Sequence, residues 1–293
     1  MSALEIEQLP DDLRQPVLIV AFFGWNDAAE AATDAVRFLR NLSQEPAFAT
    51  IDPDEYFVFT EHRPQVKWID GDDARREVIW PQTDFTVLRQ PDADRDIILG
   101  LGTEPDLRWR NYCQLILEVA DRAGAEEVVT LGALLADVAH TRPIRVQGGS
   151  SNPERQQQLG FPASRYEGPT GIVGSLGDAC RIADVSHLGF WASVPHYVTS
   201  KHNPGATKAL LQHVARTYQL ELDLRHLDGA QERYRAQIDT ALADKPDVRD
   251  YVRNLEVQAD KEAAEEGGEE PSALESRDVL EEIDRLLRGD RPS

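Results

Sequence analysis

Apolar residues run without a break from Val17 to Phe23, between Pro16 and Gly24. A run of this length and purity suits a strand buried on both faces. Asn26 or Asp27 then caps a helix over 28–40. Its Ala32, Ala35, Val36 and Leu39 recur at helical spacing, and an acid at its start suits the helix dipole. A strand, a turn and a helix in that order open an α/β fold. The same grammar recurs twice. Residues 96–101 read as a buried strand, 102–105 as a turn and 106–123 as a helix with Leu115, Ile116, Val119 and Ala120 on one face. Residues 127–131 read as a third buried strand. Between these units, Tyr56–Phe59, Gln65–Trp68 and Phe85–Leu88 are rich in aromatic and β-branched residues and read as strands near an antiparallel edge.

Further along, residues 144–147 read as a short strand, and 148–165 as a polar loop with room for one short helix. A helix over 172–182 contains Gly174 and Gly177. Glycine costs a helix about 1 kcal/mol, so this pair predicts close approach by a neighbouring element. A strand over 187–194 ends at Pro195, and Asn203-Pro204 starts a helix reaching Tyr218. The expected core is therefore one α/β domain over 1–220. A helical extension over 221–258 follows, with helices at 227–242 and 245–258. Residues 259–272 are Glu- and Gly-rich and predict a linker without ordered structure. The last segment, 273–293, predicts an amphipathic helix with Leu280, Ile283, Leu286 and Leu287 on one face.

Charge changes the picture in two ways. The 293 residues carry 52 acidic and 31 basic side chains, a net charge of −21. That excludes the basic stripe that nucleic-acid binding needs and disfavours docking on anionic lipid, so neither nucleic acid nor a membrane is an expected partner. The charge is also uneven. Residues 257–293 hold 12 acidic and 5 basic side chains, a third of the net charge in an eighth of the chain. The acidic Met1–Glu7 stretch lacks the charged and apolar regions of a signal peptide. The two cysteines, Cys113 and Cys180, have no metal-type spacing and predict reduced, buried thiols in a cytoplasmic protein.

Four short segments fall at predicted strand ends: Gly24-Trp-Asn-Asp27, Gly102-Thr-Glu-Pro105, Tyr166-Glu-Gly-Pro-Thr-Gly171 and Pro195-His-Tyr197. In a largely parallel sheet such loops converge on a crevice where ligands bind. Trp25, Asp27, Glu104, Tyr166, Thr170, Gly171 and His196 are the candidate crevice residues. Asp27, Glu104 and His196 would supply acid/base or polar groups, and the Thr170-Gly171 backbone an anion site at a helix N-terminus. The competing reading is structural throughout. In it Gly and Pro shape turns, Asp27 caps a helix, and His196 is hydrogen-bonded at the rim. No dinucleotide fingerprint, phosphate loop, HExxH or nucleophile elbow is present, so no catalytic residue, metal ligand or cofactor is assigned.

Taken together and in this order, the segments resemble the proteasome assembly chaperone 2 family of bacteria that possess proteasomes. The matching residues are Gly24-Trp-Asn-Asp-Ala-Ala29, then Gly102-Thr-Glu-Pro105 with Trp109 and Tyr112, then Tyr166 through Gly174, and Trp191-Ala-Ser-Val-Pro-His-Tyr-Val198 with Pro204. The likeness spans about 15–220, and the helical C-terminal extension resembles that of actinobacterial members. It implies a three-layer α/β/α fold with a mixed central sheet, like that of purine nucleoside phosphorylases. It also implies a non-catalytic assembly protein whose partners are proteasome subunits or assembly intermediates, and a homo-oligomer, with a trimer as one form. Archaeal relatives engage the proteasome through a terminal hydrophobic-Tyr-any tripeptide, which differs from Asp290-Arg-Pro-Ser293 here. The alternative is a protein or enzyme that binds a nucleotide- or nucleoside-like molecule at the strand ends.

Overall fold

The computed structural model describes residues 3–266 apart from 44, 70–71, 91–92, 162–163 and 165. Its strands are β1 (Leu4–Ile6), β2 (Val17–Phe23), β3 (Ala49–Ile51), β4 (Gln65–Ile69), β5 (Asp72–Ile79), β6 (Thr83–Leu88), β7 (Ile97–Thr103), β8 (Glu127–Ala136), β9 (Val146–Ser150) and β10 (Ser186–Pro195). Its helices are α1 (Ala31–Leu42), α2 (Trp109–Arg122), α3 (Pro153–Leu159), α4 (Ile172–Ile182), α5 (Pro204–Tyr218), α6 (Arg225–Leu242) and α7 (Pro246–Glu266). Eight strands make one mixed sheet in the order β1-β3-β6-β7-β2-β8-β10-β9. The central four are mutually parallel, while β6 and β9 pair antiparallel on either side.

The parallel centre explains the unbroken apolar runs. Alternate side chains of one strand point to opposite faces, and both faces are covered. Val17, Ile19 and Ala21 enter the layer built by α1 and α5. Leu18, Val20 and Phe22 enter the layer built by α2 and α4. The fold is therefore the expected three-layer α/β/α arrangement. Helix α4 covers the predicted span, and Gly177 is the close approach its sequence announced: a Cβ there would lie 2.9 Å from the His187 ring of β10. Asn203 caps α5 through its side-chain oxygen, which accepts the Ala206 N–H at 3.1 Å. Both cysteines are free and buried, and burial pushes each thiol up to about 12.

Four expectations are corrected. Tyr56–Phe59 is a turn, not a strand: the Tyr56 and Phe57 N–H groups bond to Pro53 O, and the Tyr56 carbonyl accepts from Asp106 and Leu107. Tyr56 and Phe57 are buried without a strand ladder. The second helix starts at Trp109, not Asp106. Asp106 spends its carboxylate on Val58 N–H and His62, and Arg108 has a left-handed backbone (φ +54°). Strand β8 continues to Ala136, because β10 pairs with it along its whole length. Finally, α7 runs to Glu266, so the expected linker is helical over 259–266. Asp260 and Glu262 are held there by Arg142 and Arg145. The predicted terminal helix over 273–293 lies outside the described residues.

Helices α6 and α7 are not a detached appendage. Tyr234, Ile238, Leu242, Val252 and Leu255 form a third apolar cluster with Ala139, and Tyr197 and Val198 pack against it. That places the helical extension against the loops that follow β8 and β10.

Candidate functional site

Three of the four strand-end segments meet at one carboxylate. Strand β7 ends at Thr103 and delivers Glu104, whose own N–H bonds back to Phe23 O of β2 at 2.8 Å. Its Oε2 accepts the Trp25 N–H at 3.1 Å. Its Oε1 accepts the Asn26 side-chain amide at 3.1 Å and the Ile172 N–H, the first of α4, at 2.8 Å. The glycines of these segments make room for this junction. Gly24 has φ +142°, and a Cβ there would lie 2.9 Å from Glu104 Cβ. A Cβ on Gly171 would lie 1.7 Å from Asn26 Nδ2. At the helix start where an anion was expected, the Ile172 N–H is taken by the chain's own Glu104 carboxylate.

Asp27 does not face this junction. Its Oδ1 accepts the Ala32 and Thr33 N–H groups at 2.7 and 3.3 Å, and its Oδ2 accepts from the Thr33 hydroxyl. Asp27 therefore caps α1 across a single 3-10 turn, Ala28–Glu30, whose Ala29 and Glu30 have left-handed backbones. Burial pushes its carboxyl up to about 6, against the lowering effect of those bonds. The sequence allowed this capping role beside that of a crevice group, and the hydrogen bonds are those of a cap.

Trp25 is 60% exposed above Glu104. Tyr166 folds over its own turn, its hydroxyl donating to Pro169 O at 2.8 Å. The Thr170 hydroxyl lies where a Cβ on Gly174 would be. His196 turns elsewhere. It pairs with Asp137 at 3.1 Å and meets the edges of Tyr197 and Tyr251, while Tyr251 of α7 donates to Asp137 at 2.6 Å. The fourth segment serves the joint with α6 and α7, not the junction at Glu104. Next to it, His140 bridges Tyr197 Oη at 2.8 Å and Asp239 of α6 at 3.1 Å.

Sequence reasoning offered Asn26 only as a helix cap, whereas its side chain holds Glu104, and it missed Glu127. The Glu127 carboxylate, near the start of β8, accepts from the Tyr218 hydroxyl at 2.5 Å, from Ser186 at 3.0 Å and from Arg155 at 3.3 Å. The second of two adjacent acids, at the opening of a buried apolar strand, was the available signal. Beside this cluster, burial pushes His187 down to about 4; its Nε2 lies 3.1 Å from the Thr130 hydroxyl.

Among the described residues, Glu30, Asp34 and His202 bring carboxylate and imidazole atoms within 4.8 Å of one another. Lys201 and Arg37 already neutralise those carboxylates. Clefts of about 760 and 600 Å³ open along the segment joining α5 to α6. Leu220, Leu222 and Leu224 line the first, and Phe38 and His226 the second; Asp223 and Arg225 border both. No helix among the described residues is long and apolar enough to cross a membrane.

Comparison with known proteins places these features in a family. The model of the PAC2 family matches residues 21–242. A PAC2 family protein from Streptomyces avermitilis is 40% identical, over 81% of this chain and 99% of that one, with a TM-score of 0.74. A proteasome-assembly chaperone homologue from Mycobacterium tuberculosis is also 40% identical, over 80% of this chain and 99% of that one, at 0.73. An archaeal proteasome activator from Pyrococcus furiosus is 16% identical, over 81% and 97%, at 0.66, a likeness of fold. A search of curated proteins returns no match. The Glu104 junction, the three-layer sheet and the docked helical extension are thus features of a chain that belongs to the PAC2 family and stands close to its actinobacterial members.

Proposed function

We propose that this protein is a non-catalytic assembly and interaction protein of the proteasome assembly chaperone type, acting in the cytoplasm on proteasome subunits or assembly intermediates. The observation that carries the reading is the 40% identity, over most of both chains, to the mycobacterial proteasome-assembly chaperone homologue. The site geometry supports it. Glu104, the most reactive-looking group of the strand-end segments, accepts three hydrogen bonds from its own chain and occupies the helix N-terminus that a phosphate would need. Asp27 is likewise consumed by α1. Groups so satisfied fix loops in place, and rigid loops present a surface to a protein partner. Self-association belongs to the same reading, with a trimer as the form the family resemblance suggests.

The test uses the full-length protein, tagged at its own locus. Capture should recover proteasome subunits or partly assembled rings, and deletion of the gene should slow proteasome maturation. Quantitative capture that recovers no subunit, with unchanged maturation on deletion, overturns the reading. Thermal-shift measurements with nucleosides and nucleotides probe the small-molecule alternative; a saturable rise in Tm would favour it.

A further inference from the structure

Strands β4 and β5 form a two-stranded sheet of their own, apart from the eight-stranded one. An isolated two-stranded ribbon is marginal in water, and it gains independent stability from further strands or from a packed face. Here the two faces differ sharply. Val66 lies opposite Val78 and Trp68 opposite Arg76, which puts these four on one face. The Arg76 guanidinium stacks on the Trp68 ring at 5.1 Å. Two residues beyond Val78, Trp80 meets Phe59 edge-on at 4.9 Å and ties the base of the ribbon to the body. The opposite face carries Gln65 and the oppositely charged cross-strand pair Lys67 and Glu77, which suit water, with Ile79 as its one exposed large hydrophobic, 39% accessible. On the apolar face Val66, Trp68, Val78 and Trp80 are 59%, 61%, 46% and 43% exposed.

We infer that this face is where a second copy of the chain docks. The inference rests on the self-association proposed above and gives it a surface. Charge selects the occupant. Residues 63–80 carry four basic and four acidic side chains and are neutral, whereas the chain as a whole carries −21. Two copies repel one another over most of their surface, so they approach at least electrostatic cost through a neutral, apolar region. The Arg76 guanidinium on this face already lies over the Trp68 ring, whose attraction offsets part of its cost of entering a contact. The four exposed side chains offer on the order of 400 Å² per copy, within the range of the largest apolar patch on a typical monomer. Counted on both copies, that is about half of a standard interface of roughly 1,600 Å², so the patch would be the apolar centre of a contact whose rim the neighbouring polar residues complete. The Trp pair supplies the aromatic anchors on which such contacts depend.

The test is sedimentation of the full-length protein across micromolar concentrations, with hydrogen exchange read at the same concentrations. The wild type should associate, and the backbone amides of 65–69 and 72–79 should gain protection as concentration rises. The pair Trp68→Glu with Val78→Glu should raise the dissociation constant at least about tenfold and abolish that gain. Circular dichroism and Tm report whether the variant folds, and Val66→Ser provides a milder change should it not. A wild type that stays monomeric at high micromolar concentration overturns the inference. So does an oligomer unaffected by both variants, which would leave self-association standing and remove this surface from it. Ribbon protection that is independent of concentration also overturns it, since the cover would then come from the same chain. None of these outcomes depends on whether proteasome subunits are captured.

Discussion

The centre of the main sheet and the β4–β5 ribbon are built from the same kinds of residue and live in opposite conditions. In β2, Val17 through Ala21 are fully buried, because parallel neighbours pair both edges and helices cover both faces. In the ribbon, Val66, Val78 and two tryptophans face outward, and each strand has one partner. The difference teaches that strand propensity alone does not say where a strand's free energy comes from. The centre is stabilised by its own chain, whereas the ribbon's apolar face is left exposed by the described residues.

The largest expected effect breaks or upholds that contrast directly. Ile19→Ala removes part of a fully buried side chain between α1 and α5 and should cost about 2–5 kcal/mol of unfolding free energy. Val66→Ala, chemically a similar truncation, should change monomer stability by less than about 0.5 kcal/mol. Denaturant titrations at low protein concentration give both numbers. A comparable loss at Val66 would mean that the ribbon is packed on its own chain, and the comparison would fail.

Acid should act on the sheet through two buried groups of opposite sign. His187 has a folded pKa near 4 against an ordinary value of 6.5. The unfolded chain therefore binds its proton first, and stability falls as pH drops from about 6.5 to 4. Asp27 has a folded pKa near 6 against 3.8. Here the folded chain binds the proton first, so stability rises as pH drops from about 6 to 4. Each group is worth about 3 kcal/mol by linkage, so the wild type shows little net change in this window from the pair. His187→Gln should unmask the rise, and Asp27→Asn should unmask the fall. Asn keeps an oxygen acceptor for the Ala32 and Thr33 N–H groups, so α1 stays capped. Parallel pH profiles for the two variants and the wild type would refute the assignment.

Legibility followed the range of the interactions. Strands of the parallel centre were readable because an unbroken apolar run has few other uses, and α4 and α5 because Gly171 and Asn203-Pro204 mark their starts. The order of the four segments, too, was visible. What they do was not: Glu104 and Ile172 are 68 positions apart, and no local pattern says that one residue's carboxylate occupies the other's helix terminus. His196 looked like a member of the same site because it follows a strand, yet Asp137 and Tyr251 draw it to the α7 joint. Tyr56–Phe59 misled for the reverse reason. Aromatic, β-branched composition reports burial, and here burial came without a ladder.

The smallest expected effect concerns the last turns of α7. Composition placed the end of the last helix of the extension near Gln258, but α7 continues to Glu266. Ion pairs hold those final turns. Arg142 grips Asp260 at 2.7 Å and Arg145 grips Glu262, and all four side chains are at least partly solvated. Such pairs contribute little individually and are screened by salt. The segment also favours helix locally, with Ala263, Ala264 and several Glu residues. A chain ending at 266 keeps these turns and serves as the reference. A chain ending at 258 should show a small drop in Tm at low ionic strength that disappears in high salt, because the ion pairs distinguish the two. The core sheet should be untouched in both, as α7 contributes Val252 and Leu255 to its apolar contact before residue 258. A large, salt-independent loss on removing 259–266 would show instead that these turns are part of the folded unit in the way β2 is, and not, like the ribbon, a surface element with little packing of its own.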